Sequence, residues 1–178
     1  FIDSDDYIRQ DMVSILIGNI MNYQADMVEC NYYKVYGKTQ KKAKKSELTI
    51  LGRDEALESF IKHSNSTITP TAWNKIYRKE IFDDLRYKNG IFHEDEEIII
   101  KIICQCKKIV IIDEPLYYYI KRDGSIINSN FKLKHLDIIN IMEDRIKLLN
   151  QLNVKSSLIN STFSRLFNIY NELYAKIK

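Results

Sequence analysis

Glycine and proline are scarce in this sequence, five and two among 178 residues, which excludes long flexible linkers. Cysteine is scarce too. Three cysteines, an odd number, make no disulfide framework. Cys104 and Cys106 stand two apart, on different faces of any helix, and match no zinc spacing. They read as buried thiols of a reducing compartment. No apolar run reaches the roughly 20 residues of a membrane span, because Lys101, Lys107 and Lys108 interrupt the most apolar region. No secretory signal pattern is visible. Charge of one sign is lacking as well: 27 basic against 24 acidic side chains leave a net +3, too little to argue for a nucleic-acid partner. What remains is ordinary globular composition, 45% hydrophobic and 29% charged, of about one domain's length and able to bury a core.

The chain starts on an apolar pair, Phe1-Ile2, that reads as a buried strand running into three carboxylates within four residues, Asp3-Ser4-Asp5-Asp6. Apolar residues at helical spacing (Ile8, Met12, Ile15, Leu16, Ile20) predict a helix over Tyr7–Tyr23. Ala25–Tyr36, rich in Val, Tyr and Cys, reads as a strand. Lys38–Lys45 reads as a solvated basic loop or hairpin tip. A second helix is expected from Gly52-Arg53-Asp54 to about His63, with Asp54 as N-cap, followed by a polar loop over Ser64–Pro70. Thr71–Phe82 reads as helix, Asn89-Gly90 as a turn, and Glu94–Lys107 as a helix with an acidic start and a basic finish. Ile109–Ile112 and Leu116–Lys121 read as two short strands about Asp113-Glu114-Pro115. Two longer helices follow from Phe131, parting near Gln151–Lys155. The alternation indicates an α/β fold with an all-helical C-terminal extension.

Two acidic clusters carry the chemical interest. In open α/β sheets ligands bind at the carboxyl ends of strands, where Asp3, Asp5 and Asp6 are expected. Hard oxygen ligands there suit Mg²⁺ or Mn²⁺ bridged to a substrate's phosphates. The competing account is that one of these acids caps the following helix. The second cluster, His93-Glu94-Asp95-Glu96-Glu97, has the same competing account, acids in a first helical turn. Its functional reading is a general base, because crowded carboxylates have raised pKa values. His93 beside them is structural or a site residue. Trp73 is the single tryptophan, a residue type whose ring can stack on sugars but more often fills a core. Lys121-Arg122-Asp123-Gly124-Ser125 after a triple tyrosine offers a cation and a hydroxyl for a diphosphate, or an ordinary turn.

The order of these motifs is more specific than any one of them. Phe-Ile-Asp-Ser-Asp-Asp-Tyr at the start, Asp26 to Cys30, Trp73-Asn74-Lys75-Ile76-Tyr77, His93-Glu94-Asp95-Glu96, Asp113 to Tyr119 and Arg122 to Ile126 together resemble the second half of bacterial family 2 glycosyltransferases. The resemblance spans Phe1 to about Phe131 and implies an incomplete GT-A fold in residues 1–129, followed by a helical extension over 130–178. It implies an inverting, divalent-metal-dependent transferase that moves a sugar from a nucleotide-sugar donor to a glycan or cell-surface polysaccharide acceptor. Asp3-Ser4-Asp5 matches the DxD motif, with Asp5 the metal ligand and Asp3 toward the ribose or the metal's waters, and Asp6 a neighbouring candidate. Asp95, with Glu94, matches the general base. Trp73, Asn74 and His93 fall in the donor-sugar and acceptor cleft, and Arg122 and Ser125 on the diphosphate. The expected cofactor is Mn²⁺ or Mg²⁺. The expected location is cytoplasmic, peripheral at the inner face of the cell membrane.

Ile120 departs from the family, which commonly carries Arg after the triple tyrosine. The nucleotide-binding first half of the family's fold has no counterpart in this sequence, so the chain is expected to bind donor weakly or not at all and to self-associate through exposed strand edges. Two other readings compete with this one. A DxD phosphatase expects a small Gly/Thr/Val pattern after the second Asp, where Asp6-Tyr7 stands. A non-catalytic docking or oligomerisation module would rest on the apolar residues of Phe131–Lys178.

Overall fold

The structure, a computed structural model, describes residues 1–43, 47–63, 68–121 and 131–177. In chain order it consists of β1 (Tyr7–Ile8), α1 (Met12–Tyr23), β2 (Met27–Tyr36), β3 (Thr39–Lys42), β4 (Thr49–Gly52), α2 (Arg53–Lys62), β5 (Lys75–Tyr77), α3 (Glu94–Gln105), β6 (Lys108–Ile120), α4 (Asp137–Gln151) and α5 (Ser156–Ile177). Short 3-10 turns lie at Lys79–Phe82 and Leu133–Leu136.

The long strands β2 and β6 run parallel and form the spine of the sheet. Short antiparallel strands finish each side: β4 and β1 along β6, β5 and β3 along β2. Successive side chains of a strand point to opposite faces, and the core divides accordingly. Met27, Ile109 and Ile111 face α2 and α3. Val28, Val110 and Ile112 face α1, which presents Met12, Leu16 and Ile20 at helical spacing. Because helices cover both faces, Ile109 to Ile112 can all be apolar. Each such burial stabilises the fold by about 1.5–3 kcal/mol. The α4–α5 hairpin adds a cluster of its own, built on Ile141, Ile146 and Leu166, and sends Leu149 and Leu158 into the α2–α3 core.

Several expectations need correction. Phe1 and Ile2 are exposed and outside any strand; Phe1 instead rests edge-on against Tyr77, Phe82 and Tyr87. The first helix begins at Met12, because Tyr7–Ile8 pairs with Tyr117–Tyr118 as β1. Gly52, not Asp54, is the N-cap of α2: its N–H donates to Glu55 Oε2 (2.8 Å), while Asp54 pairs with Arg53. Thr71–Phe82 is not a helix, since Lys75–Tyr77 pairs with Met27–Glu29. α3 ends at Gln105, so Lys107 and Lys108 lie outside it. The two strands expected around Pro115 are one, and a register shift near Asn31 absorbs the proline. The expected basic loop contains β3, whose lysines 41 and 42 blunt the sheet edge.

A candidate active site of crowded carboxylates

Residues 3–6 form a tight turn closed by the Asp6 N–H donating to the Asp3 carbonyl (3.2 Å). Asp6 secures that turn to the end of β6. Its Oδ2 accepts from the Tyr117 hydroxyl and its Oδ1 from the Ile120 N–H, both at 2.8 Å. The same Tyr117 oxygen accepts the Asp3 N–H (3.2 Å). Tyr117 is fully buried, so the turn is referenced to the core. Asp6 therefore anchors the turn to β6 through both of its carboxylate oxygens. Asp3 and Asp5 are left facing solvent. Partial desolvation raises the Asp3 pKa, and the neighbouring charges of Asp6, Asp5 and Glu94 raise it further.

Asp95 lies in the first turn of α3, one residue beyond the exposed Glu94. Burial first, then Glu94, push its carboxyl up to about 6 against the opposing pull of Lys75, with Asp3 and Glu96 adding to the rise. The two acidic clusters, ninety residues apart in sequence, thus share one electrostatic site. An aromatic wall of Phe1, Tyr77, Phe82 and Tyr87 lies beside it. The phenols of Tyr77 and Tyr87 are raised chiefly by burial, with Asp95 among the charges that contribute. A carboxyl held near 6 is suited to take a proton at neutral pH. His93 is exposed, sits in the left-handed region (φ 63°) and caps α3 through its backbone, accepting the Glu97 N–H, without a side-chain cap.

Behind the site lies a polar network that the sequence reading missed. Glu29 and Lys75 are completely buried and ion-paired at 3.1 Å. Lys75 Nζ also donates to Thr69 Oγ1 (2.9 Å), Thr71 O (2.5 Å) and Asn74 Oδ1 (2.8 Å). Glu29 accepts from the Thr69 N–H and hydroxyl. The signal was present as an acid in the apolar run of β2 and a lysine beside the only tryptophan. Only their pairing across the sheet gives it meaning.

Trp73 and Asn74, expected in a sugar cleft, are core residues. Trp73 stacks on Tyr117 and Tyr119 (centroids 4.3 and 5.3 Å) and meets Tyr32 edge-on. Asn74 bonds to the Cys30 backbone through its carboxamide, which donates to Cys30 O (2.9 Å). Arg122 and Ser125 lie outside the described residues. Among the described residues no three His, Cys, Asp or Glu side chains gather into a metal cage, and no helix is long and apolar enough to cross a membrane.

An open mixed sheet with helices on both faces is a GT-A-like arrangement, and the comparisons agree with that fold. The fold matches S. aureus TarS. The crystal structure of its residues 1–349 in complex with UDP-GlcNAc superposes with a TM-score of 0.68 at 19% identity, over 96% of this chain and 47% of that one. The longer TarS structure gives 0.66 over 96% of this chain and 28% of that one. Sequence relatives are likewise glycosyltransferases. GlyG of Streptococcus pneumoniae serotype 4 is 27% identical over 96% of this chain and 60% of its own length. GlyA of the same organism is 29% identical over 84% of this chain and 22% of its own length. EpsJ of Bacillus subtilis, named an uncharacterized glycosyltransferase, is 28% identical over 74% of this chain and 40% of itself. The chain is a glycosyltransferase homologue that spans 60% or less of these curated relatives. No protein-family model matches it.

Proposed function

We propose that this chain is the metal- and acceptor-side part of an inverting family 2 glycosyltransferase, with Asp95 as general base. The observation that carries the reading is the convergence of Asp95, raised to about 6, with Asp3 from the turn at the start of the chain. Asp95 would take the proton of an acceptor hydroxyl as that oxygen attacks the anomeric carbon, while the nucleoside diphosphate departs on the opposite face. The donor class follows the relatives' names and the UDP-GlcNAc bound by TarS; a glycan acceptor and a peripheral cytoplasmic location follow the family resemblance.

The carboxylates fit a divalent cation. Asp3 is destabilised as an anion by partial burial and then by its acidic neighbours, and a nearby cation would relieve the second of these. Two carboxylates without a full protein cage are what Mg²⁺ or Mn²⁺ accepts when substrate phosphates complete its shell. Asp5 and Asp3 would hold the ion, which supplies neutralisation of the departing diphosphate. Asp6, through Tyr117 and Ile120, keeps both carboxylates in place.

The experiment is release of nucleoside diphosphate from a panel of nucleotide sugars by the full natural protein that contains this chain. Asp95→Asn is expected to lower the rate about 10²–10⁴-fold. Asp5→Ala is expected to abolish its dependence on Mn²⁺ or Mg²⁺. Undiminished transfer by either variant removes the role given to that residue.

A further inference from the structure

Two side chains of α4 make polar contacts with the segment that carries Asp95, and the contacts fall on either side of it. Asp137, at the first turn of α4, accepts the Phe92 N–H through Oδ2 at 2.9 Å. Arg145, eight residues further along α4, donates through Nη2 to the Glu96 carbonyl at 2.7 Å and to Glu96 Oε2 at 2.8 Å. Eight residues of helix span about 12 Å, so one rigid element grips both ends of residues 92–96. The Phe92 ring is also held, edge-on to His135 at 5.2 Å.

Arg145 is committed to this contact. It is 7% exposed, its guanidinium lies 5.1 Å from the Phe60 ring centroid, and its Nε has no hydrogen-bond partner among the described residues. Burying an arginine with an unsatisfied nitrogen is costly, so the contact it makes has to compensate. Between the two grips lies His93 with φ 63°. A non-glycine residue stays in that region only when its surroundings over-determine it.

We propose that α4 is a brace for the candidate base, with Asp137 and Arg145 as positioning residues that hold Phe92 and Glu96 so that Asp95 keeps its orientation. This rests on the reading of Asp95 as the base. It gives the helical extension a task in the reaction beyond packing. None of the groups that act on the Asp95 charge (Glu94, Asp3, Glu96 and Lys75) is itself replaced when the brace is cut, so the variants act on how the segment is held.

The test uses Arg145→Met, Asp137→Ala and the conservative Arg145→Lys. Amide hydrogen exchange on this chain reads the brace without any assay of transfer. Arg145→Met and Asp137→Ala are expected to speed exchange at residues 92–97 at least tenfold, with α1 and β2 amides unchanged and partial recovery in Arg145→Lys. Equal acceleration everywhere, or none at 92–97, overturns the brace. In the full natural protein kcat is expected to fall about 10–100-fold, the scale of a base displaced by about an ångström, with KM for the donor within twofold. A kcat held within twofold despite local loosening overturns the positioning role. Absence of transfer by the unaltered protein refutes the transferase reading alone, because the exchange result stands independently. Should Arg145→Met fail to fold, Asp137→Ala carries the same two readouts.

Discussion

In the turn at residues 3–6 one carboxylate of three is tied to the core through Tyr117 and Ile120, and the other two face solvent. At the start of α3 the arrangement is reversed. Glu96 and Glu97 are the paired acids, Glu96 with Arg145 and Glu97 with Lys88 and Lys101. Asp95, between the exposed Glu94 and those pairs, has no ion pair among the described residues and is held near 6 mainly by burial. In both clusters some acids serve as scaffold, Asp6 in one and Glu96 and Glu97 in the other, and the acids proposed to react are different ones. Crowding alone therefore does not identify a functional carboxylate. What separates Asp95 from Glu97, two residues away on the same helix, is the lack of a cation in contact.

The sharpest way to break that comparison is to remove the buried cation behind the site. Lys75→Met takes away the cation paired with Glu29, whose side chain has zero exposure, and breaking such a buried pair costs about 3–5 kcal/mol. Urea unfolding is expected to show this. The double variant Lys75→Met/Glu29→Gln is expected to recover most of the loss, because the remaining groups are neutral and Thr69 can still donate. A Lys75→Met protein with unaltered stability would mean that Glu29 has another route to neutrality.

That pair also shows which features could be read in advance. The α/β class, β2, α3 and the two terminal helices follow from local periodicity, and Asp3, Asp5 and Asp95 stand out as local motifs. β5 was misread because its three residues become a strand only by pairing with Met27–Glu29, and its lysine is tolerable only beside Glu29. β4, four residues long, was missed for the same reason, since its pairing with β6 lies about sixty residues on. The anchoring of Asp6 depends on partners 111 and 114 residues away. Trp73 as stacked core depends on Tyr117 and Tyr119. Local chemistry was legible; whatever required a distant partner was not.

A smaller effect is expected from Asp6→Ala. It strips the Ile120 N–H and the Tyr117 hydroxyl of an acceptor, at about 1–3 kcal/mol. The comparison adds a sharper consequence. If Asp6 is an anchor, divalent-metal affinity should fall only modestly, whereas Asp5→Ala should remove it. Titration of both variants with Mn²⁺ in the full natural protein distinguishes the two roles. Equal losses would place Asp6 among the ligands.

The smallest effect, and the most diagnostic of Asp95 itself, is on the pH dependence of stability. Its folded pKa of about 6 stands above the ordinary 3.8, so between those values the folded state binds more protons than the unfolded chain. Stability must then fall as pH rises through that window. Two pKa units correspond to about 2.7 kcal/mol, which partial exposure reduces to about 1–2 kcal/mol. Asp95→Asn carries no titration there. The variant is expected to match the parent near pH 4 and to exceed its stability by about 1–2 kcal/mol at pH 7, while losing transfer. A group whose mutation stabilises the fold and removes the reaction is held at a cost for its chemistry. If the Asn variant tracks the parent from pH 4 to 7, Asp95 titrates normally, and the contrast with Glu97 fails at its central residue.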